Sequence, residues 1–359
     1  MASFSPGLVA FQFGACHVKP KQTFDPGPAA VGAKREDSWR PGLIYLLGAS
    51  ALLDCRPTVG GQAVIEGVMM RAPRSLTVAV RRPQGQVTVK RQDIRSLGER
   101  FPLLKLPLVR GGVALIEALV YGISALNYSA NEALAEEESG GELGPWALGG
   151  IVALALGMGL LLFFFLPLTL THWMGRHVSA MRGSTLLFNL TDGVLRVGIF
   201  VLYVIFISRL REVRRVFEYH GAEHAAIHAY EEGRELVVEK AKGLSPLHPR
   251  CGTAFLLWVM VISILLFSLI RANASLPVKM ISRIFLLPLV AGASYELIRI
   301  SGSGRNRLVD WLTRPGLWLQ RITTRTPHED QLEVAIRALQ EVLEMERQKA
   351  SLLKVGEEA

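Results

Sequence analysis

The residues of this chain that could do chemistry are concentrated in one polar segment, residues 218–231, which lies between two strongly apolar runs. The segment is predicted to be a helix, and at 3.6 residues per turn His220, His224 and His228 fall on one face. Glu231 lies on that face as well. Two imidazoles one helical turn apart can bind one divalent metal ion, so this face is the first candidate site.

The order of His220, Glu223 and His224 matches the inverted zinc-hydrolase pattern, in which two histidines bind the metal and the glutamate is the general base. A divalent metal, zinc in particular, is therefore the expected cofactor. Candidates for a third ligand follow along the chain, namely His228, His248, Cys251 and Glu296. Arg250 could hold an anionic group of a substrate. A solvated helix face that carries His and Glu needs no metal, and that alternative stays open.

The composition is that of a membrane protein. Half of the 359 residues are apolar, the mean hydropathy is positive, and several uncharged runs are long enough to cross a bilayer, which excludes a soluble globular class. The 40 Lys and Arg residues exceed the 31 Asp and Glu residues, which fits basic loops facing the cytoplasm. They are dispersed and form no stripe interleaved with aromatic residues, so we expect no nucleic-acid partner. We expect the lipid bilayer as partner, with a homo-oligomer or another membrane protein as further candidates.

The N-terminal part divides into a leader and a small domain. Residues 1–58 cluster Pro and Gly without periodicity and are predicted to be a disordered or targeting leader, with a plastid transit peptide as one interpretation. Residues 59–100 are predicted to be a small α+β region with a β-hairpin. Its tandem Gly60 and Gly61 suggest a tight turn that leads into an extended segment. Glu66 stands among apolar residues and must be partnered or face a cavity.

The rest of the chain is predicted to be mainly helical. Residues 101–145 form an amphipathic interfacial or re-entrant helix and an acidic linker. Residues 146–300 form the membrane domain. Its four predicted membrane-spanning helices are at about 148–170, 186–210, 254–270 and 284–300. The histidine loop, residues 211–253, is rich in Arg and Lys, which places it in the cytoplasm together with both chain ends. Residues 301–359 form amphipathic and charged helices suited to the membrane interface, packing or oligomerisation.

Ionisable residues also occur inside the predicted membrane-spanning helices. Asp192 and Arg196 are one turn apart and can neutralise each other, either as a packing lock or as a functional pair. Glu296 lies one turn from a helix end, where it could pair locally or reach a metal held by the histidine helix. The predicted fold class is thus a mainly α-helical polytopic membrane protein of about four transmembrane helices with a small α+β N-terminal region.

Four strings carry a resemblance to a known family: GGQAVIEGVMMR at 60–71, NYSANE at 127–132, YHGAEH at 219–224 and HPRCGT at 248–253. The chain resembles the YqhQ-like family, which consists of bacterial membrane proteins of unknown function that carry the label of a predicted metal-dependent enzyme. The resemblance implies a bacterial cytoplasmic membrane as the location, with a plastid membrane as the alternative. This chain departs from the family's pattern at residues 325–327, where it has Arg-Thr-Pro in place of Arg-Glu-Pro.

Two functions remain as hypotheses. The first is an integral membrane metal-dependent enzyme, most simply a hydrolase, with Glu223 as general base and the histidines as metal ligands at the cytoplasmic face. The second is a non-enzymatic assembly factor, scaffold or transporter-like protein, in which the histidines and the buried charges serve packing. Four membrane-spanning helices without an internal repeat argue against a typical secondary transporter.

Overall fold

The computed structural model describes residues 57–133, 145–181, 184–249, 251–270, 274–301 and 307–357. All but the last two positions of the predicted leader lie outside these residues. The strands are β1 (Gly60–Val64), β2 (Gly67–Arg71), β3 (Ser75–Arg81) and β4 (Val87–Asp93). The helices are α1 (Leu97–Arg100), α2 (Val109–Ala133), α3 (Pro145–Leu160), α4 (Leu166–His177), α5 (Thr185–Ile207), α6 (Arg211–Glu232), α7 (Val238–Ala241), α8 (Gly252–Phe267), α9 (Leu276–Ser301), α10 (Arg307–Thr323) and α11 (Glu329–Glu357).

The four strands form one antiparallel meander in the order β1-β2-β3-β4. The predicted hairpin is β3–β4, and its turn is closed by the Gly85 N–H, which donates to the Arg82 carbonyl at 2.9 Å. The turn expected at Gly60 and Gly61 is wrong, because both residues belong to β1. The tight turn lies between β1 and β2 instead, where Glu66 has a φ of 51°.

The sheet is covered on both faces, as the period-two alternation of its side chains requires. On one face Val68, Met70 and Ala79 pack against helices α6 and α11. On the other face the buried residues Val64, Met69, Leu76, Val78 and Val80 pack against helix α2. The histidine helix, the C-terminal helix and the N-terminal sheet therefore form one module.

Small residues allow helix α6 to approach α11 closely. Its buried core face includes Ala222, Ala225, Ala226 and Ala229, beside Tyr219 and Ile227. The apolar stripe of helix α11 is formed by Leu332, Ile336, Leu339 and Leu343, and all four are buried in the same core. Burial of this stripe shows that the charged helix packs within its own chain.

The predicted fold class is confirmed: the described chain is mainly helical and has a small N-terminal sheet. Four helical stretches are long and apolar enough to cross a membrane, namely Val109–Ala133, Gly149–His177, Thr185–Ile207 and Leu276–Ile298. The second of these runs from α3 into α4 through a π-helical turn at Leu161–Phe165. Helix α8, predicted as the third membrane-spanning helix, is shorter, with 16 residues.

The order of the elements decides which of these helices can cross together. The sheet precedes α2 and packs directly against α6, so an even number of crossings must separate them. The α3–α4 stretch and α5 supply two crossings, and a crossing by α2 would make three. If the α3–α4 stretch and α5 both cross, α2 lies along the membrane surface, which is one of the two alternatives of the sequence prediction. In that arrangement the shorter helix α8 and the long helix α9 would supply the third and fourth crossings and return the chain to the sheet side, where α11 packs.

Ion pairs hold helix α2 along the sheet. The Arg71 guanidinium is 2.7 Å from the Glu117 carboxylate, and that of Arg82 is 2.6 Å from the Glu132 carboxylate. The two glutamates are four helical turns apart, so most of the helix length lies against the sheet. Its outward face exposes Ile116, Leu119 and Val120, among other residues. This arrangement is typical of a helix that lies in a membrane interface.

Candidate metal centre

Helix α6 has an alanine face on one side and a histidine face on the opposite side. The alanine face is buried against α11 and the sheet, and the opposite face presents His220, His224 and His228 to the loop after the helix and to the end of α10. The His220 and His224 ring centroids are 4.5 Å apart. The sequence prediction of one histidine face is therefore reproduced in the structure.

Backbone carbonyls orient the two imidazoles. Nδ1 of His220 donates to the Thr323 carbonyl at 2.9 Å, and Nδ1 of His224 donates to the Pro246 carbonyl at 2.5 Å. A carbonyl oxygen can only accept, so in each ring Nδ1 carries a proton. In the neutral imidazole the lone pair then resides on Nε2, which is the arrangement of a metal-binding histidine with an outer-shell partner.

Three potential ligand atoms converge at this point. One ligand atom each from His220, His224 and Cys251 all lie within 4.8 Å of one another. Nε2 of His220 is 3.1 Å from Sγ of Cys251. Nε2 of His224 is buried and has no hydrogen-bond partner among the described residues. An acceptor nitrogen left this way in a side chain that is 1% exposed requires an explanation, and a cation is the simplest one.

Cys251 reaches the histidines because it caps helix α8. It is the N-cap residue of that helix, and its Sγ accepts the Thr253 N–H at 3.4 Å. The Thr253 hydroxyl is also 3.2 Å from Sγ. These contacts fix the sulfur beside His220 at the junction between the histidine loop and the membrane-spanning region.

Glu223 stands beside both imidazoles. Its Oε2 is 4.0 Å from Nε2 of His220 and 4.0 Å from Nε2 of His224. Burial raises the pKa of this carboxyl to about 7, although His220 and the Gly61 N–H, which donates to it, act in the opposite direction. A Cβ on Gly61 would lie 2.7 Å from Cγ of Glu223, so the glycine leaves room for the carboxylate against β1.

Gly221 permits a second close approach. A Cβ there would lie 1.9 Å from the Arg325 carbonyl oxygen. The Arg325 N–H donates to the Phe217 carbonyl at 3.0 Å, so the segment after α10 crosses helix α6 at this glycine. This crossing places the Thr323 carbonyl over His220. A glycine inside a helix lowers helix stability. At position 221 it is nevertheless required, because the segment that orients His220 passes too close for a side chain.

The other two predicted histidine ligands belong to a neighbouring group. Nε2 of His228 donates to the Leu247 carbonyl at 2.9 Å, and Nε2 of His248 is 3.4 Å from the Glu231 carboxylate. Burial lowers the pKa of His248, against the opposing effect of Glu231. The His224 and His248 ring centroids are 5.7 Å apart. Neither His228 nor His248 joins the close group of three ligand atoms, whereas Cys251 does.

Gln320 is a positioning residue that the sequence analysis did not single out. Its amide clamps the histidine loop: the His248 N–H donates to its Oε1 and its Nε2 donates to the His248 carbonyl, both at 2.8 Å. The side chain is fully buried. The sequence signal for Gln320 is its position on the inward face of an amphipathic helix. A side-chain amide that is buried there costs free energy unless it is hydrogen-bonded.

Two of the other candidates lie outside the site. The Glu66 carboxylate pairs with the Arg215 guanidinium and accepts from the Tyr219 hydroxyl at 3.3 Å, so it is partnered, as one of the two expectations for it required. Glu296 pairs with Arg110 at the start of helix α2 and does not reach the histidines. Glu296 is not one of the three described residues whose ligand atoms converge, and its carboxylate is paired with Arg110 instead.

Asp192 and Arg196 form the expected pair in helix α5 at 3.0 Å, and neither is among the three converging ligand groups of the described residues. Arg250 lies outside the described residues. A cavity of about 350 Å³ borders the site, and it is lined by Ser245, Pro246, Leu247, Arg321, Thr324, Arg325 and Thr326. Its lining includes Pro246, whose carbonyl accepts from Nδ1 of His224, but none of His220, His224 and Cys251.

Comparison with known proteins places the chain in a family. Residues 106–345 match the family model described as "Protein of unknown function (DUF1385)". The chain belongs to this family. It is 32% identical over 302 residues to a protein of Bacillus subtilis (strain 168) named "Uncharacterized protein YqhQ", an alignment that covers 81% of this chain and 93% of that protein. No solved structure matches the chain. The resemblance expected from the four strings is confirmed, and the relatives add no activity to it.

Proposed function

We propose that this membrane protein is a metal-dependent enzyme, most simply a hydrolase, whose metal ligands are His220, His224 and Cys251. One observation carries the proposal. The buried Nε2 of His224, without a hydrogen-bond partner among the described residues, faces the Nε2 of His220, the Sγ of Cys251 and the Glu223 carboxylate. Four groups that accept a hydrogen bond or bind a cation thus point towards one volume.

The residues fit zinc better than a harder cation. Two imidazole nitrogens and one thiolate are nitrogen and sulfur ligands of the kind that zinc prefers, and three protein ligands leave a fourth position open, as in catalytic zinc sites. Each imidazole also has the outer-shell hydrogen bond that holds a ligating histidine in place, from Nδ1 to the Thr323 or the Pro246 carbonyl.

Bound zinc would supply a Lewis acid and a water molecule with a pKa near 7. Glu223 is placed to take up a proton at Oε2, since this atom is 4.0 Å from each of the two ligand nitrogens. The carboxylate is buried, and Gly61 restrains it from the sheet side. The sequence order of histidine, glutamate and histidine thus corresponds to an arrangement in which ligands and base have separate roles.

We place the site at the cytoplasmic face of the bacterial membrane, because the basic histidine loop favours that side. A Ser179→Cys reporter in the turn between α4 and α5, with Cys16 and Cys55 replaced by Ser, should react with an impermeant thiol reagent on intact cells. A Gln84→Cys reporter in the β3–β4 turn should react only after permeabilisation. The reverse pattern would contradict the assigned side.

A structural role is the competing function, and one observation favours it. His220, His224 and His228 each tie a different backbone carbonyl to helix α6, at Thr323, Pro246 and Leu247. Imidazoles that hold neighbouring segments in place by hydrogen bonds would suit a scaffold or assembly factor and need no metal. Such a role predicts a stably folded, metal-free protein.

Metal analysis of the purified full-length protein separates the two functions. The wild type should contain about one zinc per chain, and His220→Ala, His224→Ala and Cys251→Ser should each lose most of it, because each removes one of three ligands. Glu223→Gln should keep the metal, since a general base is not a ligand. His248→Ala serves as a control inside the loop and His172→Ala as a control outside it, and both should keep the metal. A folded wild type without metal after purification in zinc-containing buffer would overturn the proposal.

A further inference from the structure

The cavity of about 350 Å³ lies between two segments that are both hydrogen-bonded to helix α6. One side is the loop at residues 245–247, and the other side consists of Arg321, Thr324, Arg325 and Thr326, at the end of helix α10 and just after it. A volume of this size is typical of a site for a small ligand. Thr324 is buried, whereas Arg321 and Thr326 are exposed, so the cavity is open to solvent on one side.

The charge of the cavity wall is positive. Among the described residues that line the cavity, Arg321 and Arg325 are the charged ones, and no Asp or Glu accompanies them. Neither arginine pairs with a carboxylate elsewhere in the described part of the chain. The described lining therefore offers two guanidiniums to a ligand and no anion of its own to balance them.

Arg325 differs from the other arginines that are covered to a similar degree. Each other described arginine that is buried or half-buried pairs with a carboxylate, namely Arg71, Arg81, Arg82, Arg110, Arg196 and Arg283. Arg325 is half-buried without such a pair, and its Nε is buried without a hydrogen-bond partner among the described residues. A covered guanidinium that lacks an acceptor costs free energy, which an anion bound in the cavity would recover.

The cavity lies near the membrane surface on the side of the histidine site. Its loop wall precedes helix α8, one of the predicted membrane-spanning helices, which begins at Gly252. Trp318 lies three residues before Arg321 on helix α10 and is 51% exposed, and tryptophan is enriched at the level of the lipid headgroups. Soluble compounds and lipid headgroups can therefore both reach the cavity.

We propose that this cavity binds a phosphate group, which the guanidiniums of Arg321 and Arg325 hold. Guanidinium donors match phosphate oxygens in charge and in geometry, and their paired hydrogen bonds make arginine a preferred phosphate ligand. The Thr326 hydroxyl, which has no hydrogen bond to a described residue, is a further donor on the same side. The phosphate belongs either to a soluble compound or to an anionic phospholipid, because both carry the same group.

The phosphate site is separate from the proposed metal centre. Its lining includes neither Glu223 nor any of the three proposed metal ligands. The two sites share backbone only, since Pro246 lines the cavity and its carbonyl accepts from Nδ1 of His224. Phosphate binding therefore does not require zinc, and it is measured independently of the zinc content.

Two binding measurements on the full-length protein distinguish the sources of the phosphate. Delipidated protein in detergent is titrated with radiolabelled inorganic phosphate. The same protein is separately incubated with phosphatidylglycerol or with diacylglycerol, which lacks phosphate, and is analysed by native mass spectrometry. Saturable phosphate binding that phosphatidylglycerol does not displace indicates a soluble ligand. Retention of phosphatidylglycerol but not of diacylglycerol indicates a lipid ligand.

A pair of double variants tests the two arginines. Arg321→Gln, Arg325→Gln should weaken binding by more than about tenfold, because it removes both charged donors. Arg314→Gln, Arg347→Gln removes the same charge at exposed positions outside the lining and should bind like the wild type. Both double variants should keep the melting temperature of the wild type.

Single charge reversals cover the case in which the first double variant does not fold. Arg321→Glu changes an exposed position and should also lose binding, whereas Arg314→Glu on the same helix should not. The double variant His220→Ala, His224→Ala should bind phosphate normally, because the phosphate is not held by a metal. The proposal is overturned if neither probe binds saturably to the wild type, if Arg321→Glu behaves like Arg314→Glu, or if the histidine variant loses phosphate.

Discussion

The histidine site and the Asp192 cluster both bury polar groups, but with opposite surpluses. At the histidine site the Nδ1 atoms of His220 and His224 donate to carbonyls, and the atom without a hydrogen-bond partner among the described residues is an acceptor, Nε2 of His224. In the Asp192 cluster, in which that carboxylate pairs with Arg196 and Arg283, the atoms without a partner in the described part of the chain are donors, the Nε atoms of the two guanidiniums. The unpartnered atoms at the two places therefore differ in hydrogen-bond role.

The largest expected effect is at the histidine site. The double variant His220→Ala, His224→Ala removes both acceptor nitrogens and should abolish metal binding entirely, with zinc content at background in metal analysis. The double variant His172→Ala, His177→Ala, on helix α4, is the matched control and should retain all the metal. Stoichiometric zinc in the His220→Ala, His224→Ala variant would show that these two imidazoles do not bind the metal.

The next effect is on stability at the Asp192 cluster. Asp192→Asn leaves two buried guanidiniums without their carboxylate, which should lower the free energy of unfolding by about 3–5 kcal/mol. Thermal melting in detergent measures the loss, and zinc content should stay unchanged. Asp93→Asn, at an exposed position in β4, is the control and should change the melting temperature little. An unaltered melting temperature in Asp192→Asn would show that the cluster does not depend on this carboxylate.

An intermediate effect should come from the crossing at Gly221. Gly221→Ala would push a methyl group against the Arg325 carbonyl, and overpacking of this kind costs about 1–3 kcal/mol. It should also weaken zinc binding, because Thr323 moves away from His220. Gly112→Ala is the control, since no atom lies within 4 Å of its added Cβ and alanine favours a helix. Equal stability and zinc affinity in both variants would contradict the close crossing.

The smallest effect is predicted for Glu296→Gln. This change weakens the ion pair with Arg110, so destabilisation of about 1 kcal/mol or less is expected for a partly exposed pair. Zinc content should equal that of the wild type, because the carboxylate is not near the ligands. Loss of zinc in Glu296→Gln would show that this carboxylate takes part in metal binding.

Local patterns were enough to predict the features that depend on neighbours in sequence. Helical periodicity placed His220 and His224 on one face, and a spacing of four residues paired Asp192 with Arg196. The β3–β4 hairpin followed from its turn residues and alternation. In each case the interacting residues belong to one helix or one hairpin, so backbone geometry alone brings them together.

Contacts between segments that are distant along the chain could not be predicted from the sequence. Arg283 is 91 residues from Asp192, and no local pattern marks it as the second partner of that carboxylate. The choice of Cys251 over His248 as the third close group depends on how the loop after α6 folds back, which Gln320 controls from helix α10. The roles of Gly61 and Gly221 likewise depend on the approach of another segment.

The crossing of helix α6 by the segment after α10 also has a consequence for biosynthesis. The carbonyl that orients His220 belongs to Thr323, and helix α11 covers the alanine face of the same helix. Both are translated after every membrane-spanning helix. A chain still attached to the ribosome thus lacks both the carbonyl that orients His220 and the helix that covers the alanine face. The arrangement of the histidine face can therefore form only after the C-terminal segment has been synthesised.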